Sequence, residues 1–167
     1  MRILGIAGWK GSGKTTLIVS LIPELIGRGL AASTVKHIHH NIAIDKADED
    51  ARALRKAGAA EVIVFSEKRW ALMHELRGTP EPSLEELVSR MTPVDLLLVE
   101  GFKRYTHDKL EVHRRASGKP LLCGQDPHVV AVASDGPLPQ VKLPVLDLND
   151  VPAIADFIVS YCQLRGA

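Results

Sequence analysis

Residues 8–15 read Gly8-Trp9-Lys10-Gly11-Ser12-Gly13-Lys14-Thr15, which fits G-x-x-x-x-G-K-[ST], the loop that wraps a nucleoside triphosphate. Three glycines let the backbone fold tightly around phosphates, so that several N–H groups point inward as an anion nest. Lys14 then reaches the β and γ phosphates and the Thr15 hydroxyl coordinates Mg²⁺. A helix beginning near Gly13 presents its positive end to the anion. Before the motif, Arg2 to Ala7 is a short apolar run that reads as a buried strand; after it, Thr16 to Ile22 reads as a buried helix. Strand, loop and helix in that order are the setting the motif requires, and this context outweighs a glycine-rich turn without ligand.

Composition sets the outer bounds. A chain of 167 residues with 46% hydrophobic content suffices for one α/β domain, here taken as residues 1–167. The 21 basic and 20 acidic residues leave a formal net charge of +1, so bulk charge points to neither nucleic acid nor membrane as a partner. Cys123 and Cys162 lie far apart and match no zinc spacing, and no basic leader precedes a long apolar region, which implies a reduced, cytoplasmic protein. No stretch is apolar enough to span a bilayer.

Along the chain, Leu30 to Val35 reads as a second strand, Glu49 to Lys56 as a helix closed by Gly58, and Glu61 to Phe65 as a third strand. That βαβα rhythm predicts parallel strands with crossover helices. Lys68 to Leu76 reads as another strand and 79–82 as a turn. Ser83 then caps a helix with Glu86 three residues on. Val94 to Val99 and Val129 to Ala133 are buried strands, and Asp150 caps a final helix carrying Ile154, Phe157, Ile158 and Tyr161 on one face.

Two further signals carry chemistry. Leu96 to Gly101 is an apolar strand ending in Glu100, and ligands in open α/β sheets bind beyond the carboxyl ends of the strands, where an acid can hold Mg²⁺ directly or through water. Lys36-His37-Ile38-His39-His40 follows the second strand on the same edge. It offers cations and donors for phosphate, with Lys36 and His37 as the candidates, or imidazoles for a transition metal, or simply a solvated polar loop. Asp45, Asp48, Glu49 and Asp50 come next; most suit a helix start, and one can serve Mg²⁺.

Taken together and in order, GWKGSGKTT, K-H-x-H-H at Lys36 to His40, D-x-x-x-L-R-x-A-G-A from Asp50 to Ala59, E-G-F-K at Glu100 to Lys103 and L-x-L-N-D at Leu146 to Asp150 resemble the molybdopterin-guanine dinucleotide biosynthesis protein B (MobB) family. The resemblance runs from Ile3 to Ile158. It implies an α/β chain with the three-layer P-loop NTPase fold and a mostly parallel central sheet. It further implies a homodimeric GTP-binding protein with weak Mg²⁺-dependent hydrolysis. That protein assists the guanylyltransferase (MobA-like) joining GMP to molybdopterin, so molybdopterin is a further partner. Carried over by position, Gly8, Gly11, Gly13, Lys14, Thr15 and Thr16 bind phosphates and Mg²⁺, and Asp50 and Glu100 are the carboxylates near the metal. Trp9, Lys10 and Ser12 complete the loop, and Lys14 and Glu100 form the catalytic pair. Related sequences place Gly-Lys-Asp-Ser or a close variant where this chain has Asp48-Glu49-Asp50-Ala51, so Asp48 competes with Asp50 for its role.

Base selection is the thinnest part of the reading. Guanine offers N1–H and N2–H₂ donors that a carboxylate satisfies, which is why GTPases often carry [NT]-K-x-D. That string is absent, although Asp135 follows a predicted strand as a candidate, without a lysine to pack on the base. GTP preference therefore rests on the resemblance. A P-loop small-molecule kinase and a metallochaperone GTPase using Lys36 to His40 are the rival classes. A kinase needs a mobile arginine-bearing lid, and Arg69, Arg104, Arg114 and Arg115 form no such sequence. No glutamine stands out to align an attacking water. The Trp70 to Met73 and Leu110 to His113 segments are candidate dimer-forming strands.

Overall fold

The six residues of β1, Arg2–Ala7, lie between two parallel neighbours, β5 (Leu96–Glu100) and β6 (Lys109–His113). The computed structural model describes residues 1–38, 49–101 and 105–165. The chain divides into two units, Met1–Ile38 with Pro93–Ala167, and His39–Thr92.

In the first unit β2 (Ala32–Lys36), β7 (Val129–Ser134) and β8 (Val145–Asp147) complete a six-stranded sheet of order β2-β5-β1-β6-β7-β8. Every pairing in it is parallel, so all its strands end on the same edge. The Leu96-Leu97-Leu98-Val99 run of β5 is at most 1% exposed, as an uninterrupted apolar segment must be when both faces of a parallel strand are covered. Helices α1 (Lys14–Gly27) and α4 (Val151–Tyr161) pack on one face. There Leu17, Leu21, Leu25, Ile154 and Ile158 join Leu4, Ile6, Leu98, Leu110 and Val112 in the main core. On the other face of β7, Val129 and Val132 are covered by Leu138 and by Leu121, Leu122, Cys123, Val141 and Leu143, a layer made of irregular chain. Asp150 caps α4 as its sequence demands, its carboxylate accepting from Ala153 N at 3.0 Å. At the far end of that helix the Tyr161 hydroxyl donates to Asp108 at 2.7 Å, a bond that pushes the phenol up to about 12.

The Leu110 to His113 expectation is overturned. Both edges of β6 are taken, by β1 and β7, and all five of its residues are buried, so it cannot offer an edge to a second copy. Its alternation in the sequence resembles a half-exposed strand because its second face is polar and yet buried. Lys109 Nζ donates to the Tyr105 carbonyl at 2.6 Å and to Asp126 at 3.0 Å, and Glu111 accepts from Leu122 N and Cys123 N at 2.7 and 2.9 Å. Strand β8 was not expected, being only three residues long after Pro144.

The second unit holds α2 (Glu49–Ala57), β3 (Glu61–Phe65), β4 (Trp70–His74) and α3 (Leu84–Ser89). The parallel βαβα expectation fails for β3, which pairs antiparallel with β4 in a separate two-stranded ribbon. Residues 66–69 alone connect the two strands, closed by Ser66 N donating to Arg69 O at 2.8 Å. A parallel crossover needs roughly a dozen residues or more, so a connection this short dictates a hairpin. Helix α3 carries the full capping box: Glu86 N donates to Ser83 Oγ, and Ser83 N to the Glu86 carboxylate.

Candidate functional site

Loop 8–13 runs from the end of β1 into α1, and its glycines adopt a backbone that other residues rarely take: φ is 146° at Gly8, 82° at Gly11 and 98° at Gly13. Gly8 is also sterically obligatory, since a Cβ there would stand 2.5 Å from the Val112 carbonyl and 2.6 Å from Ser12 Oγ. Gly13 is the N-cap of α1, so no side chain caps the N–H groups of the first turn at the positive end of the helix. Ser12 is 3% exposed, and its hydroxyl has no hydrogen-bond partner among the described residues. Lys14 Nζ donates to the Trp9 carbonyl at 3.0 Å, and the Trp9 indole donates to Pro120 O at 2.7 Å, which ties the loop to the irregular layer. A buried orphan hydroxyl, a side-chain-free helix start and an ammonium within one loop fit a polyphosphate chain. Lys10 and Gly11 are exposed at its tip, and Thr16 lies exposed on the first helical turn.

Thr15, Glu100 and Lys36 come from three elements and converge. Thr15 Oγ1 lies 3.0 and 2.9 Å from the two Glu100 oxygens, and Lys36 Nζ lies 2.9 Å from Thr15 Oγ1 and 3.2 Å from Glu100. The register that pairs Lys36 with Glu100 across β2 and β5 sets this up. A hydroxyl and a carboxylate are hard oxygen donors of the kind Mg²⁺ prefers, and the Lys36 ammonium already bridges the same two groups. Thr15 and Glu100 are thus the residues of this unit that would hold the ion. His37 joins through its main chain, donating to Glu100 O at 2.8 Å. Gly101 must be glycine beside it: φ is 100°, and a Cβ would stand 2.7 Å from His37 O.

Asp135 lies at the end of β7, away from Thr15 and Glu100 along the sheet edge. Its Oδ1 accepts from Arg115 N at 2.9 Å, and that bond, with Arg114 nearby, holds its carboxyl below the usual range. Arg114, which follows β6 directly, lies beside both this carboxylate and the loop, a position that no motif in the sequence marks. Its guanidinium lies 3.5 Å from where a Cβ of Gly13 would be. A basic residue immediately after a strand, at the carboxyl edge of the parallel sheet, was the available signal. Asp50 lies in the first turn of α2, in the second unit. Asp48, Asp45, His39 and His40 fall outside the described residues, as do Phe102, Lys103 and Arg104. Among the described residues no three His, Cys, Asp or Glu side chains are grouped to hold a metal ion, and no helix is long and apolar enough to cross a membrane.

This arrangement has close counterparts. The family model for molybdopterin guanine dinucleotide synthesis protein B matches residues 3–135. The chain belongs to the MobB family. The molybdopterin-guanine dinucleotide biosynthesis adapter protein of Escherichia coli is 46% identical over 167 residues, covering 98% of this chain and 95% of that protein. The adapter protein of Haemophilus influenzae is 45% identical, covering 95% and 88%. Among solved structures, a crystal structure of molybdopterin-guanine biosynthesis protein B superposes with a TM-score of 0.77 at 27% identity, over 96% of this chain and 99% of that one. The α/β fold with its parallel sheet is therefore the MobB fold.

Proposed function

We propose that this MobB-family chain is an adapter of molybdopterin-guanine dinucleotide biosynthesis that binds GTP with Mg²⁺ at loop 8–16. It hydrolyses that GTP slowly and assists, in the cytoplasm, the MobA-like guanylyltransferase that joins GMP to molybdopterin. The observation that carries the nucleotide reading is the contact of Thr15 with Glu100 at the side-chain-free start of α1. Loop N–H groups and Lys14 neutralise the phosphates, and Thr15 and Glu100 hold the metal. Bound Mg²⁺ supplies charge neutralisation on the phosphate oxygens. Turnover is slow because nothing described beside Lys14 aligns a water as the glutamine of efficient GTPases does.

The β3–β4 ribbon supports a homodimer. Ile63, Phe65, Trp70 and Leu72 are 61%, 81%, 67% and 38% exposed, and the register pairs Phe65 with Trp70 and Ile63 with Leu72 on one face. Four large apolar side chains in adjoining pairs are costly to leave in water, and a second ribbon of the same kind covers them.

Isothermal titration with GTP and then ATP, each with Mg²⁺, followed by titration with molybdopterin-loaded guanylyltransferase, tests the reading. GTP preference together with partner binding supports it. ATP preference without partner binding overturns it in favour of a small-molecule kinase.

A further inference from the structure

The chain lacks the contiguous motif by which GTPases hold a base, yet its tertiary structure brings together the same chemistry from two strands. Arg114 Nε and Nη2 are each 3.5 Å from the position a Gly13 Cβ would take, so the guanidinium leans on the loop one residue before Lys14. Its Nη1 stands 3.6 Å from the Asp135 carboxylate. Arg115 braces the same turn: its N–H holds Asp135 Oδ1 at 2.9 Å, and its side chain crosses Gly136, where a Cβ would come within 2.8 Å of Arg115 Cδ.

Beyond this pair a cleft of about 340 Å³, open to solvent, runs between Ser134, Asp135, Gly136 and Pro137 on one side and Val145, Leu146, Asp147 and Asn149 on the other. Its far wall is stiffened by Asp147 Oδ1, which accepts from Asn149 N at 2.8 Å and from Asn149 Nδ2 at 3.1 Å. From β1, which delivers the phosphate loop, to β7 and β8 there are two and three strand steps of ~4.8 Å. That is roughly 10–14 Å, a span that the inner phosphates, the ribose and the base ring of a nucleotide cover together. A guanidinium is planar and stacks on π-faces, whereas an ionised and oriented carboxylate accepts the paired N1–H and N2–H₂ donors that guanine has and adenine lacks.

We propose that Arg114 and Asp135, at the ends of β6 and β7, form a purine-base subsite in which Arg114 stacks on the ring and Asp135 reads the guanine edge. The inference rests on the reading that loop 8–16 holds a triphosphate. In effect it is a base-recognition pair split between two strands, in place of one contiguous motif.

Isothermal titration of the full chain with GTP, XTP and inorganic tripolyphosphate, each with Mg²⁺, tests it on wild type, Asp135→Asn and Arg114→Ala. Asp135→Asn is expected to lose GTP affinity by about 10- to 100-fold and to gain XTP, since an amide donates to the xanthine carbonyl that replaces the guanine amine. Arg114→Ala is expected to weaken GTP and XTP alike by about tenfold while tripolyphosphate binds as in wild type. Wild-type GTP affinity in both variants, or an equal loss of tripolyphosphate in Arg114→Ala, overturns the subsite and leaves the triphosphate reading standing. A wild-type chain that binds neither GTP nor tripolyphosphate overturns both.

Discussion

The Thr15 hydroxyl lies within 3.0 Å of both carboxylate oxygens of Glu100, a residue 85 positions away, and Lys36 closes the cluster from a third element. Glu100→Gln keeps the shape and removes the charge. Nucleotide affinity without Mg²⁺ is expected to stay within about threefold of wild type, while Mg²⁺-dependent hydrolysis falls by about tenfold or more. Titration with and without EDTA, alongside a phosphate-release assay, checks this; an unchanged hydrolysis rate removes Glu100 from the site.

Gly8 and Gly11 both have positive φ, yet their surroundings differ. A Cβ on Gly8 would meet Val112 O at 2.5 Å, and a Cβ on Gly11 would meet nothing within 4 Å. Gly8→Ala is expected to cost about 3 kcal/mol or more, steric overlap adding to backbone strain. Gly11→Ala carries the strain alone, about 1 kcal/mol. Urea unfolding of both variants gives the comparison, and equal losses would show that the Val112 contact does not matter.

Lys109 is 1% exposed and paired with Asp126 at 3.0 Å. Lys109→Met removes the ammonium that the part-exposed Asp126 carboxylate and the Tyr105 carbonyl share, so it is expected to destabilise by about 1–3 kcal/mol. Adding Asp126→Asn to that variant is expected to restore part of the loss. Chemical denaturation of the single and double variants decides it; no recovery in the double variant means that Lys109 acts through packing alone.

His107 packs on Gly5, and its Nδ1 is buried without a hydrogen-bond partner among the described residues. Burial, with the Lys109 charge beside it, pushes the imidazole below its ordinary 6.5. The unfolded chain then binds this proton more readily than the folded one, so the contribution is complete above pH 6.5 and is lost as pH falls through the depressed folded value. Thermal unfolding between pH 7.5 and 5 is expected to show declining stability, and His107→Gln is expected to flatten that slope. An identical slope in the variant assigns the effect to other groups.

The tight turn at loop 8–13, its flanking strand and helix, the buried β5 strand ending in Glu100 and the caps at Ser83 and Asp150 were legible because each is a local matter: backbone conformation, apolar periodicity, or a side chain reaching three residues along its own helix. Strand β6 was misjudged because Lys109 and Glu111 find their partners, Asp126 and the N–H groups of residues 122 and 123, outside any window that periodicity can see. Strand β3 was misjudged as a parallel member of the main sheet, because the strand–helix–strand rhythm from β2 through α2 does not reveal that β3 pairs instead with β4, four residues on.

By itself the sequence determined that this protein has a tight glycine-bearing loop between a buried strand and a helix, because glycines in that spacing permit backbone angles that other residues resist. Which side chains meet that loop was decided by the tertiary structure alone. Parallel strands of order β2-β5-β1-β6-β7-β8 bring Lys36, Glu100, Arg114 and Asp135 to one sheet edge. That strand order arises from burying helices and irregular chain against the two faces of the sheet, a balance of the whole domain that no short stretch encodes.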